Sequence, residues 1–371
     1  MTGSIRLLRS TALVVGMSAM VVAFAVSRAD AQELAPLPEP QEINQARADL
    51  GKMLFFDPRM SGNTALSCAS CHSPETGWGD GKALSDAYGD LLYFRNAPGL
   101  FNVASRNFFM WDGRLDGSDL GTVVRDMLTE SHTMHMDSRL AQERLKQVPE
   151  YMEMFEAAYS AEPYGGRMYG AIGEFLKTIR TENAPFDAYL RGDESALSDS
   201  AVRGLALFEG KAECSACHSG AMLSDGNLHA TGVPDHPDLL GLDPEKAADA
   251  ANRQITLLRF YASMGTPNYM NLRQDVGNYI VTKDDIDVGK FTTPSLWDVG
   301  QTAPYMHSGV FVSLAEVVAF YIAGNDRMVP LDLSKTEQAD LVAFLESLTG
   351  DEPTVTEPDL PDYALRDVGK N

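Results

Sequence analysis

Four cysteines occur in the 371 residues, and they fall into two copies of one pattern. Residues 67–73 read SCASCHS and residues 213–219 read ECSACHS, so each pair encloses two residues and is followed at once by a histidine. Cysteines spaced this way do not make a framework of long-range disulfides, and the chain must fold around whatever the two units hold. Three groups compete. A structural zinc takes two well-separated pairs converging on one metal, which the chain can supply as a set of four thiolates. A redox dithiol sits at the start of a helix in an α/β pattern, which is absent here. Haem c uses both thiols of a unit, one per vinyl group, and places the adjacent imidazole beneath the iron. Two complete copies leave haem as the reading. Cys68, Cys71 and His72 hold one haem, and Cys214, Cys217 and His218 hold the other.

Such attachment takes place outside the cytoplasm, and the first residues agree. Arg6 and Arg9 precede an apolar run from Thr11 to Val26, with Ala29 and Ala31 at the −3 and −1 positions of a cleavage site. Residues 1–31 therefore read as a signal peptide and the mature protein as periplasmic. A retained anchor is the alternative, but the run is short of the roughly 20 residues a bilayer span needs. Later runs are shorter still. The formal charge is −22, from 30 Lys and Arg against 52 Asp and Glu, and it becomes −24 without residues 1–31. That field disfavours nucleic acid and anionic lipid, and it steers in a basic partner.

Helical spacing recurs along the chain. Ile43, Ala46, Leu50 and Leu54 share one face, and the stretches DLGTVVRDMLTE, SRLAQERLKQVPEYMEMFEAAY and MYGAIGEFLKTIRT continue the pattern with breaks near Pro149 and Pro163. SLAEVVAFYIAG and SKTEQADLVAFLESLTG add two amphipathic helices near the end. Residues 57–100 and 224–300 are rich in turn formers and read as loop. His229 and His236, within the second of these, read as solvent-facing. A weak repeat sets Gly51-x-x-Leu54-Phe55 before the first cysteine unit and Gly204-x-x-Leu207-Phe208 before the second. The expectation is a mostly α protein of two cytochrome c-like haem domains packed around an inter-haem interface. The domains run over residues 32–190 and 191–350, followed by an extended acidic tail, 351–371.

Two haems alone make an electron-transfer cytochrome if both irons are six-coordinate, and a catalyst if one keeps an open face. No histidine lies between His72 and His132 to close the first iron, although Met110 is a possible ligand. The motifs LGKMLFFDPRMSGNTALSCASCHSPETGWGD, RNAPGLFN, FMWDGR and TAPYMHSG resemble those of the bacterial di-haem cytochrome c peroxidases and their MauG-type relatives, in order, from about residue 50 to 350.

The resemblance implies that the N-terminal haem reduces hydrogen peroxide while the C-terminal haem relays electrons through Trp111. It implies one calcium ion between the haems, held by the Asn96 side chain and the carbonyls of Thr302 and Pro304. It implies Glu130 as the acid/base, and Tyr321, the MauG-type choice, as distal ligand of the second iron, with Met306 and Met328 as substitutes. His132, His135 and Arg125 lie close enough in sequence to complete the pocket, and His307 falls near the second haem. The family's glutamine about ten residues before the acid is missing from LDGSDLGTVV. The electron donor is then a small protein such as cytochrome c or a cupredoxin. A MauG-type enzyme would instead oxidise residues on a partner protein. With no distal histidine, the first site is expected to need no reductive activation.

Overall fold

The computed structural model describes residues 32–117 and 119–362. The expected signal peptide and the tail from residue 363 lie outside the described residues. The first half forms α1 (Gln45–Phe56), α2 (Leu120–Thr129), α3 (Ser138–Leu145), α4 (Pro149–Tyr159) and α5 (Gly165–Leu176). The second forms α6 (Pro185–Leu190), α7 (Asp199–Glu209), α8 (Pro237–Leu240), α9 (Ala247–Ser263), α10 (Tyr279–Thr282), α11 (Leu314–Ala323) and α12 (Lys335–Glu346). Strand is confined, among the described residues, to two short antiparallel ladders. One pairs β1 (Phe108–Phe109) with β2 (Leu115–Asp116), and the other pairs β3 (Leu228–His229) with β4 (Phe291–Thr292).

The sequence repeat has a packing cause. A Cβ on Gly51 of α1 would stand 1.9 Å from the Ala171 carbonyl oxygen of α5, and one on Gly204 of α7 would stand 2.0 Å from the Asp340 carbonyl oxygen of α12. Each glycine therefore lets two helices cross backbone to backbone. The aromatic residue four positions on then seats against its partner: Phe55 meets Phe175 at 5.3 Å and Phe208 meets Phe344 at 4.9 Å between ring centroids. Gly204→Ala is expected to cost about 1–3 kcal/mol by overpacking, read as a lowered melting temperature. Gly166→Ala, whose Cβ would meet only Tyr164 at 3.7 Å, should leave stability unchanged or slightly raised.

Each half has its own core, one around Leu50, Phe55, Trp78, Phe155 and Phe175, the other around Phe186, Phe208, Trp297 and Phe344. A third core joins the halves, with Leu84 and Phe94 packed against Leu239, Leu257, Phe260, Tyr261 and Ile280. It depends on α9, which the sequence reading had as loop. The 17-residue helix buries Ala250, Thr256, Leu257, Phe260 and Tyr261 on one face. Gly, Pro and Asp on both flanks hid that periodicity. Its polar side chains fasten the first half too: the Leu92 N–H donates to Asn252 Oδ1 (3.0 Å), and Arg253 donates to the carbonyls of Ser85 (3.2 Å) and Tyr93.

From Asp351 to Asp362 the chain has no regular secondary structure and returns across the first half. The Asp351 N–H donates to the Glu182 carbonyl (2.8 Å), Val355 packs on the first core, and Arg59 Nη1 donates to the Pro361 carbonyl (2.7 Å).

Candidate active site

The two Cys-x-x-Cys-His units fold alike. Cys68–Ser70 and Cys214–Ala216 are single 3-10 turns, and in both the histidine N–H donates to the carbonyl of the first cysteine at 2.9 Å. The imidazoles are oriented from behind. His72 Nδ1 lies 2.9 Å from the Trp78 carbonyl oxygen, and His218 Nδ1 lies 3.0 Å from that of Leu223. Both carbonyl-bearing residues take up left-handed backbone, φ 60° at Trp78 and 49° at Leu223, which non-glycine residues adopt only when their surroundings impose it. A carbonyl of this kind fixes the proton on Nδ1 and leaves Nε2 as an iron ligand. Burial pushes both histidines below their ordinary pKa, keeping them neutral as a ligand must be. None of the four cysteines is in a disulfide. Burial pushes Cys68, Cys71 and Cys214 up to about 12, which keeps those three as thiols. These residues fit covalent haem c at both units.

Trp111 stands at the tip of the β1–β2 hairpin, in the run Met110-Trp111-Asp112-Gly113-Arg114. The tip touches the second half. The Thr292 N–H of β4 donates to the Trp111 carbonyl at 2.9 Å, and a Cβ on Gly113 (φ +66°) would meet Leu228 at 3.0 Å. On the other side, Trp111 Nε1 donates to the Asn96 carbonyl at 3.0 Å. Asn96 precedes Pro98, whose carbonyl faces His72, and Thr292 precedes Pro294, whose carbonyl faces His218. Trp111 thus bridges the loops that flank the two axial histidines, through its indole on one side and its backbone carbonyl on the other.

Glu130 caps the C-terminal end of α2 and closes a chain of alternating charges. Asp275 accepts from Arg95 (Nε to Oδ2 2.5 Å, Nη2 to Oδ1 2.8 Å), and Arg95 Nη1 also donates to Asp112. Arg114 Nη1 donates to Asp112 Oδ2 at 2.9 Å, and its Nη2 donates to Glu130 Oε2 at 3.1 Å. His132 completes the end, with Nε2 2.9 Å from Glu130 Oε2. Its ring is 7% exposed, stacked on Tyr93 at 5.3 Å and edge-on to Phe260 at 5.2 Å. Burial by itself would raise the Glu130 carboxyl, but His132 and Arg114 more than reverse it and hold it below the usual carboxylate value. Of the three neighbours singled out from the sequence, only His132 brings its side chain to the Glu130 carboxylate, while the His135 N–H donates to the Glu130 carbonyl at 3.0 Å. Arg125 pairs with Asp126 on the surface, and the His135 ring packs 5.0 Å from Tyr88.

Arg95, Arg114, Asp112, Asp275 and Phe260 went unassigned in the sequence. Arg114 and Asp112 lie inside WDGR, so the motif was the available signal. Asp275 is 180 positions from Arg95, in a stretch with no marker of its own.

Tyr321, on α11, is half-buried. Burial, reinforced by the Cys214 and Cys217 thiols, pushes its phenol up to about 12, so the ring stands beside the second unit. The Asn96 N–H donates to the His307 carbonyl and its Nδ2 to the Lys82 carbonyl, both at 2.8 Å, which leaves Oδ1 as the free end of the amide. Thr302 and Pro304 flank a cis Ala303–Pro304 bond on the loop that carries His307. His307 stacks on Phe291 at 3.6 Å, and burial pushes it down to about 4.

His229 and His236 are not solvent-facing, contrary to the sequence reading. His229 Nε2 lies 2.7 Å from Asp225 Oδ2, and His236 Nδ1 accepts from the Asp238 N–H at 3.1 Å to cap α8. The reason in each case is a nearby partner for the ring. Cys217, Asp225 and His229 lie close enough to suggest a metal group, but Cys217 belongs to an attachment unit, so the cluster is an edge of the second haem site.

Fold and site together define a two-haem c-type oxidoreductase. Residues 45–195 match the family model described as di-haem cytochrome c peroxidase. The chain is 51% identical to the cytochrome-c peroxidase IdrP2 of Pseudomonas sp. (strain SCT), over 95% of this chain and 94% of that one. It is 36% identical to the methylamine utilization protein MauG of Methylorubrum extorquens, over 89% and 85% respectively. Among solved structures, a MauG-like protein associated with microbial copper homeostasis superposes with a TM-score of 0.68 at 26% identity, over 85% of this chain and 94% of that one. The chain belongs to the di-haem cytochrome c peroxidase family, carries two haem c groups, and is an oxidoreductase acting on peroxide. No helix among the described residues is long and apolar enough to cross a membrane.

Proposed function

We propose that this is a periplasmic enzyme in which peroxide is reduced at the haem on His72, with electrons relayed from the haem on His218 through Trp111. The observation that carries this is Glu130, held by Arg114 and His132 at the end of an ion chain that runs through the hairpin bearing the tryptophan. The balance is H2O2 + 2 e− + 2 H+ → 2 H2O. Bound haem supplies the redox-active iron. Glu130, kept ionised, takes the proton from one peroxide oxygen and returns it to the other, which leaves as water. Arg114 and His132 fix the carboxylate from two sides and take over the orienting role of the missing glutamine. Asn96 Oδ1, with the carbonyls of Thr302 and Pro304, offers hard oxygen ligands to a calcium ion between the halves. The formal −22 favours a basic donor such as a small cytochrome c.

The holoprotein is expected to oxidise two reduced cytochrome c molecules per peroxide, at a rate that falls with ionic strength. Failure to turn over cytochrome c or a cupredoxin would remove this reading. The proximity of Tyr321 to Cys214 and Cys217 favours a second one, in which peroxide drives oxidation of residues on a partner protein. In Tyr321→Phe the low-spin ferric EPR signal should change while the other haem's signal stays. An unchanged spectrum returns Tyr321 to the role of a packing residue.

A further inference from the structure

Arg106 is a half-buried base that the ion chain leaves out. It follows the 3-10 turn Val103–Ser105, and its Nη2 donates to the carbonyls of Gly99 (2.6 Å) and Phe101 (3.1 Å). Its Nε is sealed from solvent without a hydrogen-bond partner. Burial, with no opposing charge, draws its pKa down to about 10. Among the described residues, no carboxylate pairs with this half-buried guanidinium, whose hydrogen bonds go to carbonyls alone. An unpaired charge in such a place costs several kcal/mol of desolvation, so its counter-charge comes from outside the polypeptide.

Its position says which anion. Arg106 lines a cavity of about 250 Å³ between the two halves, together with Pro98, Trp111 and Pro294. Asp225 lines the same cavity but is engaged by His229. Arg106 belongs to the first half, held by the carbonyls of Gly99 and Phe101, and Phe101 lies in the core against which Cys68 packs. We propose that Arg106 is the counter-ion of a propionate of the haem held by Cys68, Cys71 and His72, admitted through this inter-half cavity. Guanidinium and carboxylate make a charge-assisted pair with matched geometry. A fixed positive charge there stabilises the ferrous over the ferric state and raises that haem's potential. The proposal rests on the two-haem reading.

The test is a potentiometric titration of the holoproteins, followed by visible absorption, for wild type, Arg106→Met and Arg106→Lys. In the Met variant one midpoint should fall by at least tenfold in its reduction equilibrium, about 59 mV for one electron, while the other holds. Lys should retain most of the wild-type value. Should the Met variant lose haem, Arg106→Gln repeats the measurement. The proposal is overturned if neither midpoint moves, if both move together, or if Lys falls as far as Met. A wild-type midpoint that tracks added chloride or phosphate also overturns it, because a free anion then fills the place. A pyridine haemochrome count separates the failures: fewer than two haems in the wild type defeats the two-haem reading, and two haems with unmoved potentials defeats Arg106 alone.

Discussion

Glu130→Gln is expected to reduce hydrogen peroxide roughly 10²–10⁴ times more slowly than the wild type, with both haems still attached. The amide keeps the size of the side chain and one acceptor for Arg114, so the pocket should persist while proton transfer is lost. The pH profile gives a sharper test. His132 and Arg114 depress the Glu130 carboxyl below its ordinary value of 4.5, against the effect of burial. The ionised form is therefore present above that lowered value, and activity that depends on it is lost only as pH falls through it. Wild-type turnover should show its acid limb below the usual carboxylate range. Arg114→Gln removes one of the two depressing partners and should move the limb upward. Stopped-flow rates of peroxide consumption between pH 4 and 8 check both statements. A Glu130→Gln enzyme with wild-type rates would leave the carboxylate as a structural partner of Arg114.

What could be read in the sequence and what could not divide along one physical line. Local chemistry was legible. Cys-x-x-Cys-His is complete within five residues, and the repeated Gly51 and Gly204 marked a weak repeat whose meaning, two equivalent helix crossings, only the structure supplies. Trp111 came from a contiguous motif, and the hairpin ladder between Phe108 and Asp116 explains why those residues stay together. Features built from distant segments were not legible. The third core needs Phe94 and Phe260 side by side at 5.5 Å, and a helix flanked by turn formers gives no sign of its partner. His229 and His236 read as exposed because their surroundings in sequence are polar, yet each found a carboxylate or a backbone N–H to hold its ring. Asp275 is the extreme case, a single acid in a loop whose meaning depends on Arg95.

That dependence makes Arg95→Met the substitution with the largest expected effect on stability. Arg95 is buried between Asp275 and Asp112, and its removal strands Asp275 while leaving Asp112 with Arg114 alone. Breaking a buried pair from one side costs about 3–5 kcal/mol, or roughly 4–7 °C in melting temperature for a chain of this size. The loss should depend on pH in a stated direction. In the wild type, burial would raise Asp275, but Arg95 holds it below its ordinary pKa. Its stabilising contribution is therefore present above the unfolded value and lost as pH falls. Without Arg95, burial is opposed only by His307 and the Gly277 N–H, both lesser influences, and the Asp275 pKa rises, so stability is present at low pH and lost as pH climbs. The two curves diverge upward, and the deficit of Arg95→Met should be largest near pH 8 and shrink toward pH 5. Asp235 pushes the same way, since burial and the neighbouring Asp275 already raise it to about 7. Thermal melts of both proteins across that range decide it. A deficit that does not vary with pH would mean that the variant suffers from lost packing against Phe94 and Phe260, and that the carboxylates find other partners.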